Sequence, residues 1–85
     1  MTMPEKEIIT LDQAQTAAER FLEDRLKNLK NISVDKVKLT SIEGIVAYDV
    51  EGIATVGGGF FSKNIERPFK VQVGAADASI LGFET

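Results

Sequence analysis

The sequence predicts an α+β domain, with one N-terminal helix packed on a four-stranded antiparallel sheet in the order 1-2-3-4. Three observations carry this. Apolar residues recur at steps of three and four from Ala14 to Leu29, the period of one helix face. From Val34 to Phe83 the period falls to two and turn residues interrupt it, the pattern of strands joined by tight connections. The connections are short, which keeps sequential strands adjacent in space. The 85 residues suit one small domain, 1–85, whose polar start over 1–7 is expected to fray.

The helix has a clear beginning. Thr10-Leu11-Asp12-Gln13 spells a capping box, in which the Thr hydroxyl and the Gln amide each satisfy a backbone N–H of the other. Ala14, Ala17, Ala18, Phe21, Leu22, Leu26 and Leu29 form the apolar stripe, with Phe21 at its middle. Glu19, Arg20, Glu23, Asp24 and Lys27 form the wet face. Arg20 with Asp24, and Glu23 with Lys27, are spaced to add roughly 0.2–0.5 kcal/mol per pair. Lys27 and Lys30 suit a helix C-terminus, and Asn28 or Asn31 is expected to end it.

Val34, Val37 and Leu39 open the first strand, and Glu43-Gly44 is a turn signal. Val46, Tyr48 and Val50 alternate with Ala47, Asp49 and Glu51, giving a second strand with one wet face. Gly52 marks a bulge or twist. Gly57-Gly58-Gly59 reads as a loop, because three glycines lose too much backbone freedom in a ladder. Phe69, Val71 and Val73 give a third strand, with Pro68 expected at its start or at a bulge. Gly74-Ala75-Ala76-Asp77 turns the chain into a short fourth strand from Ile80 to Phe83. The expected core sets Ala14, Ala17, Phe21, Leu22 and Leu29 against Leu39, Val46, Tyr48, Val50, Phe69, Val71 and Ile80.

Composition argues against most catalysis. There is no Cys and no His, which removes thiolate nucleophiles, zinc–thiolate sites and the usual general base. No catalytic residue, cofactor or metal site is expected. The net charge of −3 disfavours a nucleic-acid partner. No apolar run reaches the roughly 18 residues of a membrane helix, and no signal peptide is visible, so no membrane insertion is expected from this chain.

Three stretches then carry a likeness. They are the Ala-rich helix from Gln13 to Leu22, the strand Gly44-Ile45-Val46-Ala47-Tyr48-Asp49-Val50-Glu51, and the tail from Val71 to Gly82. In this order they resemble the PepSY domain, a helix followed by a β-meander in a cystatin-like layout. The family's Asp, then Thr-Gly, is replaced here by Gly74, then Asp77-Ala78. The resemblance implies a prokaryotic, non-enzymatic binding or regulatory module. Its implied setting is extracytoplasmic or at the cell envelope, and its implied partner is a peptidase or another envelope protein. Ile53-Ala54-Thr55-Val56-Gly57 lacks the Gln of the cystatin inhibitory hairpin, so cysteine-protease inhibition is not implied.

The nominated partner-binding loop is Gly57, Gly58, Gly59, Phe60, Phe61 and Lys63. Two adjacent Phe on an extended chain point to opposite faces, so one ring is expected in solvent, where aromatics anchor interfaces. The plainer reading folds both rings onto the core. The spacing of a phosphate loop is not met. Asp49 and Glu51 share a strand face and could serve a small ligand together with Tyr48. A solvated face, with Tyr48 as a core aromatic, is the plainer reading. Lys36 and Lys38 suit an edge strand guarded against sheet-to-sheet pairing. A self-associating structural domain is the remaining alternative, and a monomer or weak homodimer is expected.

Overall fold

The computed structural model describes residues 8–58 and 63–85. The expected fraying over 1–7 and the placement of Gly59, Phe60 and Phe61 lie outside them. The helix α1 spans Leu11–Arg25, and strands β1 Leu29–Ile42, β2 Ile45–Val56, β3 Ile65–Gly74 and β4 Ile80–Glu84 follow. The sheet is antiparallel throughout, in the order β1-β2-β3-β4. The expected α+β meander is the fold observed.

Local chemistry starts the helix as expected. The Gln13 N–H donates to Thr10 Oγ1 at 3.1 Å, and the Thr10 N–H donates to Gln13 Oε1 at 2.8 Å. The helix ends earlier than its stripe. Leu26 is already extended and caps it, and Asn28 adopts φ 59°, a conformation Asn tolerates. Leu29, expected as the last helical apolar residue, instead opens β1 opposite Val56. Lys27 and Lys30 therefore lie beyond the helix, and Arg25 occupies its last turn.

One helix face is made of small residues. Ala14, Ala18 and Leu22 are fully buried, against Val50, Val71 and Val73 of the sheet. Alanines one turn apart let the helix lie close to the strands, and Leu22 fills the space beyond them. Burying each such Leu or Val stabilises the fold by roughly 1.5–3 kcal/mol. Phe21 is not the core centre that the stripe suggests. It is half-buried at the margin, edge-on to Phe83 with ring centroids 5.0 Å apart and with the Arg25 guanidinium 5.5 Å above its ring.

Lengths decide what the helix covers. A helix of 15 residues spans roughly 22 Å at 1.5 Å per residue. A strand of 14 residues spans roughly 46 Å at 3.3 Å per residue. Part of the helix-side sheet face therefore stays open. Leu39 and Val46, both expected in the core, are 50% and 44% exposed.

Two strand irregularities have local causes. The register slips between Val34 and Lys36, so Asp35 is the extra residue of a bulge on β1, not on β2 where Gly52 suggested it. Gly52 faces that bulge, where a Cβ would collide with the Ser33 carbonyl oxygen and approach Val34 Cα to 2.9 Å. Pro68 lies inside β3 opposite Ile53, neither at the strand's start nor at a bulge. The last β3–β4 pair is Lys70 with Glu84, so β3 is an edge strand at Pro68 and its missing donor leaves no ladder bond unmade on that side.

Candidate functional site

Three chain segments meet at one end of the sheet. The first is the β1–β2 hairpin, closed by Glu43 and Gly44 with φ 49° and 83°, the positive pair that a two-residue turn needs. The second is the β3–β4 turn, where the Ala78 N–H donates to the Gly74 carbonyl at 2.9 Å and the Gly74 N–H donates to the Ser79 carbonyl at 2.7 Å. The third is the segment before α1. The Ile9 N–H donates to the Ala75 carbonyl at 2.8 Å, and the Ala75 N–H donates to the Val46 carbonyl at 3.0 Å. The Tyr48 hydroxyl donates to the Ile9 carbonyl at 2.8 Å. This chain of bonds fixes Ile8 beside the two turns.

The result is an apolar groove of about 570 Å³. Ile8, Ile45, Val46 and Leu81 form its walls and are 47%, 54%, 44% and 43% exposed. They form a cluster, whereas Leu11 and Ile65 are exposed elsewhere. Gly74 helps keep the groove open, because a Cβ there would come within 3.0 Å of Ser79 Oγ and 3.3 Å of Asp77 Oδ1.

Asp77 and Ser79 form the polar lip. The Ser79 hydroxyl donates to Asp77 Oδ1 at 2.7 Å, and the Ser79 N–H donates to the same oxygen at 3.1 Å. These bonds favour the charged carboxylate, the Ser79 hydroxyl most, and hold its pKa below the ordinary 3.8. Among the described residues lining the groove, Asp77 is the only ionisable one.

The residues nominated from sequence lie elsewhere. Gly57, Gly58 and Lys63 are at the opposite end, where β2 leaves the sheet, and Gly59, Phe60 and Phe61 are not among the described residues. The Gly57 N–H is tied to the Asn28 carbonyl at 2.8 Å. The cleft at this end is lined by Glu19, Glu23, Asn28 and Lys30 among others, so it is polar and mixed in charge.

Asp49, Glu51 and Tyr48 are not brought together. Tyr48 lies on the helix side of β2, and the two carboxylates lie on the other face, as strand alternation requires. On that open face Lys36, Glu51, Lys70 and Glu84 are cross-strand neighbours in one row, alternating in sign. Asp49 sits between Lys38 and Gln72 and is only 7% exposed, with no hydrogen-bond partner for Oδ1 among the described residues.

The groove did carry a signal in the sequence. Ile8-Ile9, Ile45-Val46 and Ile80-Leu81 are adjacent apolar pairs, and neighbours on an extended chain cannot both point inward. Among the described residues no helix is long and apolar enough to cross a membrane, and no three of His, Cys, Asp and Glu gather to hold a metal. Comparison of the chain with protein-family models, with curated proteins and with solved structures finds no match.

Proposed function

We propose that this chain is a non-enzymatic protein-binding module that receives an extended apolar segment of a partner protein in the groove between its two hairpin turns. The observation that carries the reading is the cluster of Ile8, Ile45, Val46 and Leu81, four large aliphatic side chains held partly in water around one concavity. Leaving them wet costs stability that burial would recover, and contiguous apolar surface of this kind marks interaction sites. The volume falls in the range of roughly 300–1,000 Å³ typical of binding pockets. The backbone bonds around Ile9, Ala75 and Val46 hold the walls in place before binding, which lowers the entropy lost on docking.

The PepSY-like order of helix and meander supports a finer reading, in which the partner is a peptidase or another envelope protein whose activity the module regulates. Self-association through the open sheet face fits less well, because that face carries the compensated row of Lys36, Glu51, Lys70 and Glu84.

The test uses two variants, Ile45→Asp and Leu81→Asp. Both side chains are exposed, so each change is expected to alter stability by no more than about 0.5 kcal/mol. Wild-type protein should enrich apolar sequences from a displayed library of extended peptides, and both variants should lose that enrichment. Equal enrichment by wild type and variants would remove the groove as the docking surface. For the finer reading, the protein is titrated into assays of secreted bacterial peptidases. A change in rate with wild type but not with Leu81→Asp is expected, and no change with any peptidase would sink it.

A further inference from the structure

The geometry points to a cationic group, a lysine or arginine flanked by apolar residues, on the partner segment that the groove receives. The inference rests on the docking reading above and adds the partner's charge to it. The groove walls are aliphatic and discriminate little between apolar sequences. The lip is different. Asp77 is the one ionisable side chain among the described lining residues, and the Ser79 hydroxyl and N–H keep it ionised. Both bonds fall on Oδ1, so Oδ2 keeps its acceptor capacity for an incoming donor. Glu43 adds a second negative charge beside Gly44, which lines the groove from the other turn. No lysine or arginine is among the described lining residues. An apolar segment bearing a cation satisfies both the walls and the lip, while an acidic segment meets like charge.

Asp77 is exposed, so the pair it forms is of the solvent-screened kind, an effect of up to about fivefold in affinity. The experiment uses amidated heptapeptides of alternating leucine and threonine whose central residue is lysine, glutamine or glutamate. Binding is measured by fluorescence anisotropy to the full chain at low and high salt. The lysine peptide should bind about threefold to fivefold tighter than the glutamine peptide, and the glutamate peptide should bind weakest. Asp77→Asn keeps an amide oxygen for the Ser79 donors and should erase the lysine preference, as should high salt. Equal binding of all three peptides, lost in Leu81→Asp, would overturn the cation and leave the groove standing. No binding of any peptide, either to wild type or after removal of residues 1–7, would overturn the groove itself. Binding that emerges only after removal of residues 1–7, or a self-association that competes with peptide, would assign the groove to the chain's own N-terminal segment or to a second copy and overturn the partner proposed.

Discussion

Tyr48 and Ile9 are joined by a 2.8 Å hydrogen bond from the phenol hydroxyl to the backbone carbonyl, across 39 residues of chain. The tyrosine ring is core, at 5% exposure, and its hydroxyl reaches out to hold the segment that enters α1. The bond therefore links the sheet interior to a wall of the groove.

Tyr48→Phe keeps the ring and removes the donor. It should lower stability by about 1 kcal/mol, the usual net value of one hydrogen bond. It should also weaken groove binding of the lysine peptide, because the groove wall Ile8 is joined directly to Ile9. A urea melt and an anisotropy titration on the same variant check both. Unchanged affinity alongside the lost stability would mean that the wall does not depend on this bond.

Leu22, not Phe21, is the helix residue whose loss should hurt most. Leu22 is wholly buried, so Leu22→Ala leaves a cavity and should cost about 3–4 kcal/mol. Phe21 is half in solvent at the sheet margin, and Phe21→Ala should cost about 2 kcal/mol, chiefly through its contacts with Phe83 and Arg25. Denaturant midpoints in the reverse order would show that the helix face is set differently.

Gly52 and Gly57 should respond in opposite ways to alanine. At Gly52 the new methyl meets the backbone of β1 at Ser33 and Val34, which cannot rotate away. About 3 kcal/mol of destabilisation is expected. At Gly57 the nearest atom is Lys30 Cε at 3.1 Å, the end of a flexible side chain. Alanine there restricts the unfolded chain and should be neutral or stabilise by up to about 1 kcal/mol. Comparable losses at both positions would contradict the close approach of β1 to Gly52.

Asp77 sets a pH dependence in the acid range. Its pKa in the folded protein lies below the ordinary 3.8, so its contribution to stability is fully present above 3.8 and is lost as pH falls through the depressed value. The gap in urea midpoint between wild type and Asp77→Ala should stay constant from neutral pH down to about pH 5 and shrink below about pH 4. A gap that persisted undiminished into strong acid would mean that the carboxylate charge has no part in holding the turn.

Features with short-range causes are legible in the chain alone. Thr10 and Gln13 start the helix because their bonds are local. Alternation in Tyr48-Asp49-Val50 assigns faces because the strand period is two. The paired glutamate and glycine at 43 and 44 turn the chain because a two-residue hairpin needs positive φ. Tertiary structure decided where these features met. Leu26 to Leu29 continue the helical stripe in the sequence, yet Leu29 pairs with Val56 in the sheet, because a cross-strand ladder position outweighs a small difference in helix propensity. Pro68 became legible only once β4 was seen to stop at Glu84, leaving β3 an edge there. The groove belongs to this second kind. Ile8, Ile45 and Leu81 are far apart in the chain, and Val46 reads as core. They share one open concavity because the bonds from Ile9 to Ala75 and from Ala75 to Val46 draw the segment before α1 and the two turns together.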